Sequence, residues 1–107
     1  MTFGLSENTL RKMEAVFRAY PEVETVLIYG SRAKGNYREG SDIDLALVGP
    51  LLTEAIRSRI WLALDDLNTP YLMDILVLDR LEQGPLRDHI QRVGRDLYRK
   101  GESMYGA

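Results

Sequence analysis

A glycine-led turn, followed at a short interval by two aspartates, is the feature that most constrains this chain. The apolar run Val26–Tyr29 predicts a strand ending at Gly30, which permits a sharp turn and the close approach of a ligand. Ser31 then begins a predicted short helix, where free N–H groups and the positive end of the helix dipole suit a phosphate. We call Gly30–Gly35 the cradle and predict that it binds an anion.

Ten residues separate Ser31 from Asp42, and Asp44 follows two positions later. If Asp42–Val48 is a strand, alternation places both carboxylates on one face and the apolar residues between them on the other. Two adjacent carboxylates repel each other unless a cation lies between them. Oxygen ligands of this kind suit Mg²⁺, which takes further ligands from water and phosphate. The pattern therefore predicts a magnesium site beside the cradle.

A third carboxylate, Asp74, interrupts the otherwise apolar predicted strand Tyr71–Leu78. A lone carboxylate among apolar neighbours is costly unless it finds a cation or hydrogen-bond donors. If this strand lies beside Asp42–Val48, Asp74 joins the acidic pair, and a site for two metal ions becomes possible. A structural ion pair is the alternative role for Asp74. The alternative acidic residues for the site are Asp65, Asp66 and Asp79.

Apolar spacing elsewhere predicts three longer helices. They are expected from Ser6 to about Ala19, from Thr53 to about Leu67, and after Gly84-Pro85. A short last strand is expected at 96–99. We predict one domain over residues 1–107 with an α/β (α+β) fold, in which helices pack against a small mixed β-sheet.

Composition and charge narrow the function. The net charge of −2 argues against direct binding of nucleic acid, which usually needs a basic face. The chain has no cysteine for a thiolate site, and His89 is its one histidine. No signal peptide or apolar run of about 18 residues is evident, so we expect a cytoplasmic protein without a membrane segment. A chain this short suggests that a partner protein or a homodimer completes the site.

The combined motif resembles that of a known superfamily. Gly30-Ser31, ten residues, then Asp42-Ile43-Asp44 is similar to the signature of the DNA polymerase β-type nucleotidyltransferases. The longer strings Gly30–Gly35 and Ser41–Leu45 resemble the minimal nucleotidyltransferases, or MNT proteins. These small prokaryotic proteins are often paired with an all-helical HEPN partner. The resemblance extends from Leu10 to Tyr98.

The resemblance implies a Mg²⁺-dependent nucleotidyltransferase. It would move AMP from ATP to a hydroxyl, that of a tyrosine on a HEPN toxin, and so act as an antitoxin. Two Mg²⁺ ions would be held by the catalytic residues, which are Asp42, Asp44 and Asp74. The nucleotide would be bound by residues of the cradle, which are Gly30, Ser31, Arg32 and Lys34.

Other interpretations stay open at this stage. The protein could be a non-catalytic antitoxin that neutralises its partner by complex formation. Transfer to a small molecule such as an aminoglycoside is less favoured, because such enzymes carry a further substrate domain. Arg32, Lys34 and Arg38 could equally be solvated surface charges.

Overall fold

A computed structural model describes residues 2–102 and 105 of the chain. The elements, in order, are α1 (Glu7–Arg18), β1 (Thr25–Tyr29), α2 (Ser31–Lys34), β2 (Ile43–Val48), α3 (Glu54–Asp65), β3 (Met73–Val77), a 3₁₀ turn (Leu78–Arg80), α4 (Pro85–Val93) and β4 (Arg95–Arg99). Every helix and strand predicted from the sequence is present, with ends displaced by one or two residues. The predicted single domain stays a prediction, because its terminal residues lie outside the described part.

Local side-chain chemistry explains where the longer helices begin. The Ser6 hydroxyl accepts a hydrogen bond from the Thr9 N–H at 3.1 Å, which satisfies a free donor in the first turn of α1. Thr53 does the same for α3 through the Ile56 N–H at 3.2 Å. Pro85 occupies the first position of α4, where a missing N–H costs nothing. Within the described residues, no helix has the length and apolar character needed to span a bilayer.

The four strands form one mixed sheet in the order β3-β2-β1-β4. β1 is antiparallel to both β2 and β4, whereas β2 and β3 run parallel and are joined by the crossover helix α3. In this register Asp44 lies opposite Tyr29 on one side and opposite Asp74 on the other. The predicted α/β fold with a mixed sheet is confirmed.

The two faces of the sheet pack against apolar clusters of different size. One face holds the larger apolar core, in which Ile43 and Leu45 of β2 pack with residues of α1 and α3 such as Phe17 and Ile60. The other face holds a smaller cluster of Ala46, Leu78 and Ile90. Since successive side chains alternate, Asp44 lies on the face of Ala46 rather than in the larger core.

Gly49 forms a tight corner directly after β2. A Cβ at Gly49 would lie 2.1 Å from the Glu22 carbonyl oxygen, a backbone atom that cannot move aside easily. The Gly49 N–H also donates to a carboxylate oxygen of Asp79 at 2.7 Å. The corner therefore fixes the end of β2 against the segment that precedes β1.

We predict that Gly49→Ala lowers the free energy of unfolding by about 1–3 kcal/mol, the usual cost of overpacking. Gly84→Ala is the matched control, because a Cβ at Gly84 meets nothing within 4 Å. Urea unfolding of both variants measures the difference in their midpoints. The comparison holds when the free energy of unfolding falls with urea concentration at the same slope in both. A midpoint for Gly49→Ala no lower than that of Gly84→Ala would contradict the tight corner.

Candidate functional site

The cradle has the geometry expected of a turn between a strand and a short helix. Gly30 precedes α2 with a φ of 74°, and Gly35 ends α2 in the left-handed conformation. A Cβ at Gly30 would lie 2.6 Å from an oxygen of Asp44. A side chain at Gly30 is therefore excluded both by backbone conformation and by contact with the acidic strand. The cradle and the carboxylate of Asp44 are immediate neighbours.

The sheet brings the three predicted carboxylates to one place. Asp44 is half-buried and pairs in register with Asp74, and neighbouring strands lie only about 4.8 Å apart. Asp42 precedes β2 and is exposed, as is Asp74. In the part of the chain that the structure describes, none of the three carboxylates takes part in an ion pair or side-chain hydrogen bond. The alternative role of Asp74 in a structural ion pair therefore finds no support.

The other acidic candidates lie elsewhere. The carboxylate of Asp79 accepts a hydrogen bond from Gly49, at the opposite end of β2 from Asp44. Asp66 is an exposed residue at the end of α3. Asp65, at the same helix end, lines a pocket that also includes Asp42 and Asp74. The sheet therefore pairs Asp74 with Asp44, and Asp65 alone of the alternatives lies nearby.

Burial and mutual repulsion together shape the electrostatics of this group. Burial raises the pKa of Asp44 above its usual value, and the charges of Asp74 and Asp42 raise it further. The pKa of Tyr29 is raised to about 12 by burial and then by Asp44 and Asp74. The hydroxyl of Tyr29 therefore remains protonated at neutral pH. Among the described residues, no cationic side chain forms an ion pair with these carboxylates.

This donor set suits a hard divalent cation such as Mg²⁺, since it consists of carboxylate oxygens without a competing ammonium or guanidinium partner. The ligands are not preassembled, however. Among the described residues, no group of three or more His, Cys, Asp or Glu side chains could hold a metal ion as it stands. Asp42 and Asp74 are the exposed members, so they are the ones with room to turn toward an ion.

Arg32 and Lys34 differ sharply in environment. Lys34 belongs to the cradle and is exposed on α2. Arg32 is 3% exposed, and three of its nitrogens donate to the carbonyl oxygens of Ser41 and Phe3. Each of its nitrogens thus already donates to a backbone carbonyl, and the side chain is almost fully buried, which leaves a direct contact between Arg32 and phosphate without support in this structure.

Three aromatic residues near the carboxylates were not predicted to belong to the site. Tyr29 packs edge-on against His89 of α4, with ring centroids 6.4 Å apart, so His89 is not simply a surface residue. Period-two alternation could have placed Tyr29 on the face of Asp44, but nothing in the sequence pairs it with His89. Trp61 of α3 is 39% exposed, and its indole N–H donates to the Met73 carbonyl at 3.1 Å.

A pocket of about 140 Å³ opens beside two of the carboxylates. Asp42 and Asp74 line it together with Asp65, and its apolar walls come from Trp61, Leu64, Tyr71, Leu72 and Met73. Tyr71, one of these walls, also lies against the guanidinium of Arg32 in the cradle. The carboxylates thus adjoin both the cradle and a partly apolar pocket.

The raised pKa of Asp44 predicts a stability change in the metal-free protein. Because the folded pKa lies above the usual 3.8, stability is lost as the pH rises through the folded pKa and the carboxylate ionises. Asp44→Asn should therefore raise the melting temperature at pH 7 in EDTA, and the gain should shrink toward pH 4. Glu82→Gln, which removes an exposed carboxylate, is the control. No gain over this control at pH 7 would contradict the repulsion.

Known proteins resemble this chain in sequence and in fold. Residues 11–103 match the family described as Polymerase beta, Nucleotidyltransferase. No curated protein matches the chain significantly. Similarity of fold to solved structures is the other finding.

Several solved structures have a similar fold. A chain in a crystal structure of a toxin-antitoxin with AMP-PNP has a TM-score of 0.68 at 21% identity, covering 91% of this chain and 76% of that one. A chain in a complex of a tri-AMPylated Shewanella oneidensis HEPN toxin with an MNT antitoxin has a TM-score of 0.66 at 17% identity, covering 89% and 74%. A structure from Sulfolobus solfataricus gives 0.51 at 19% identity, covering 92% and 81%.

The sequence match covers most of the chain, and the mixed sheet with its glycine-led turn and aspartates agrees with it. The prediction of a polymerase β-type nucleotidyltransferase is thereby confirmed. The chain belongs to the polymerase beta nucleotidyltransferase family.

Proposed function

We propose that this protein transfers AMP from ATP to the hydroxyl of a tyrosine on an all-helical HEPN partner, with Mg²⁺, and so acts as the MNT antitoxin of the pair. The observation that carries the proposal is the closeness of the glycine-led turn at Gly30 to Asp44, which pairs in register with Asp74. The fold shared with structures that contain AMP-PNP or an AMPylated toxin supports the choice of nucleotide and partner.

Each part of the site has a separate role. Ser31 and the free N–H groups at the start of α2 bind the β- and γ-phosphates, and Lys34 lies close enough in sequence to add positive charge. Asp42, Asp44 and Asp74 hold magnesium, which when bound neutralises phosphate charge and helps ionise the acceptor hydroxyl. The protein itself contributes position and fixed charge rather than covalent chemistry.

The reaction is an in-line displacement at the α-phosphorus. The acceptor oxygen forms a bond to that phosphorus while the bond to the bridging α–β oxygen breaks, and pyrophosphate leaves on the side of the cradle. The acceptor proton passes to Asp74 or to solvent. Asp74 is the carboxylate farthest from the cradle across the sheet, so it is the one that faces the acceptor.

The pocket beside Asp74 suits an aromatic acceptor. Its volume of about 140 Å³ is close to the roughly 150 Å³ of an apolar cavity that accepts one benzene ring. Asp42, Asp65 and Asp74 give its rim negative charge, which disfavours the triphosphate there and favours a neutral or cationic group. A tyrosine side chain, presented by a segment with basic neighbours, meets both conditions.

The central test is label transfer. Wild-type protein mixed with α-labelled ATP, Mg²⁺ and its co-expressed partner should label the partner. The double variant Asp42→Asn/Asp44→Asn should reduce the rate by more than about 100-fold, because loss of even indirect metal contacts costs 10–100-fold. The double variant Glu39→Gln/Glu82→Gln removes two exposed carboxylates outside the site and should label normally.

Absence of label on any protein, or equal labelling by Asp42→Asn/Asp44→Asn, would overturn the enzymatic proposal. The second candidate function, neutralisation by docking alone, draws on the exposed apolar surface of α3, where Leu62 is 58% exposed beside Trp61. If the double variant still protects cells from the partner as well as wild type does, docking suffices.

A matched pair of leucines tests the acceptor pocket. Leu72 and Leu51 are equally exposed at 72%, but Leu72 alone lines the pocket beside Asp74. Leu72→Ala should raise the KM for the partner about tenfold, as expected for loss of one apolar interface contact, and leave the KM for ATP unchanged. Leu51→Ala should change neither constant. Equal effects of the two substitutions would place the acceptor elsewhere.

A further inference from the structure

The buried side chain of Arg32 lies at the meeting point of the site's separate segments. No ion pair of the described residues includes Arg32, although it is 3% exposed, and a buried charge is costly unless hydrogen bonds compensate it. Compensation comes from backbone. Nε and one terminal nitrogen donate to the Ser41 carbonyl at 3.1 and 2.8 Å, and the other terminal nitrogen donates to the Phe3 carbonyl at 2.9 Å.

Two aromatic rings complete the environment of this guanidinium. Its central carbon lies 5.0 Å from the ring centroid of Tyr37 and 4.8 Å from that of Tyr71. Both distances are within the range of cation–π attraction. Tyr37 belongs to the loop that leads to Asp42, and Tyr71 to the loop that leads to Asp74. One side chain of the cradle thus contacts the approach to every carboxylate-bearing strand.

The N-terminal turn is shaped to reach the same group. Phe3 and Gly4 both have positive φ values, of 56° and 74°, and the turn is closed by a hydrogen bond from the Leu5 N–H to the Thr2 carbonyl at 2.9 Å. A Cβ at Gly4 would lie 2.4 Å from the ring of Tyr37. The turn therefore packs directly on one of the rings that flank Arg32 and presents the Phe3 carbonyl to it.

The loop held by Arg32 has little else to fix it. Residues 36–42 contain no helix or strand, and the hydrogen bonds within the loop join only Arg38 and Ser41. Ser41 is the residue directly before Asp42. The two bonds from Arg32 to the Ser41 carbonyl therefore fix the chain on one side of Asp42, and the bond from the Ile43 N–H to the Leu72 carbonyl at 2.9 Å fixes it on the other.

We infer that Arg32 is a positioning residue that holds the phosphate-binding turn and the metal-binding aspartates at a fixed separation, with the Phe3–Gly4 turn as part of the same unit. This role differs from the nucleotide contact expected from the sequence. Its catalytic consequence rests on the proposed nucleotidyl transfer, whereas its structural consequence does not. Lysine cannot replace it, because an ammonium lacks the planar fork that reaches both carbonyls while lying between two rings.

The first measurement is independent of any reaction. In Arg32→Lys, hydrogen exchange should accelerate at least tenfold at the hydrogen-bonded amides of residues 36–42 and 2–5, which are those of Asn36, Arg38, Ser41 and Leu5, and remain unchanged in α3. Arg59→Met is the control, since Arg59 is exposed on α3 and forms no ion pair or side-chain hydrogen bond with the other described residues. Unchanged exchange in residues 36–42 of a folded Arg32→Lys variant would overturn the inference, whether or not the protein transfers AMP.

The second measurement uses label transfer. Arg32→Lys should lower kcat about 100-fold, the cost of a misplacement near 1 Å, with a smaller change in the KM for ATP. A direct phosphate contact would instead raise the KM for ATP most. A larger effect on KM than on kcat therefore overturns the positioning role. If wild type transfers no label but the exchange result holds, the proposed function fails and the positioning role survives.

Chemical rescue adds a signature that general destabilisation cannot produce. Arg32→Ala leaves a space bounded by two rings and two carbonyls, which a small planar cation fits. Millimolar methylguanidinium should restore slow exchange and part of the activity, and methylammonium at the same concentration should not. Equal rescue by both ions, or by neither, argues against a specific guanidinium site.

Gly4→Ala keeps the inference testable if the Arg32 variants fail to fold. The added Cβ displaces the Tyr37 ring without removing any charge. Faster exchange in residues 36–42 with a cooperative melt supports the role of the unit, and wild-type exchange overturns it.

Discussion

The register of β1, β2 and β3 is the constraint on which the site depends. Tyr29, Asp44 and Asp74 occupy one row across these strands, and the alternate positions Ile43 and Leu45 are fully buried on the opposite face. Because side chains alternate, a slip by one residue would exchange the two sets and bury the carboxylates. The apolar packing that stabilises the sheet thus also determines which way the aspartates point.

This arrangement has an energetic cost that the rest of the fold must cover. Three carboxylates lie near one another, and burial together with the charges of Asp74 and Asp42 raises the pKa of Asp44. The larger core beneath them, built by α1 and α3, offsets that cost. Such local destabilisation is typical of functional sites, where groups are held for a ligand rather than for the stability of the free protein.

Short-range patterns in the sequence predicted much of this structure. Alternation in β2 and the punctuation by Gly30 were sufficient to predict the cradle and the acidic face, since both depend on neighbours in the chain. The lone carboxylate of Asp74 indicated a third ligand, although the pairing of β3 with β2 is a long-range fact that alternation alone does not reveal. The resemblance of Gly30–Gly35 and Ser41–Leu45 to the MNT proteins completed the prediction of the fold class.

What the sequence could not show depends on contacts between distant residues. The partners of Arg32 lie at positions 3, 37, 41 and 71, so its burial follows only from the assembled fold. Trp61 belongs by spacing to an apolar helix face, yet the free edge of β3 draws its indole N–H to the Met73 carbonyl. In both cases a polar group of a large side chain donates to a backbone carbonyl of a distant segment.

The crossover from β2 through α3 to β3 divides the site into two parts along the chain. The cradle, Asp42 and Asp44 lie within one continuous antiparallel unit, whereas Asp74 and Trp61 belong to the crossover that follows it. Under the proposed function, substitutions in the crossover other than at Asp74 would act on the acceptor side and leave the nucleotide-binding unit unchanged. The acceptor could then change between related domains while the nucleotide stays the same.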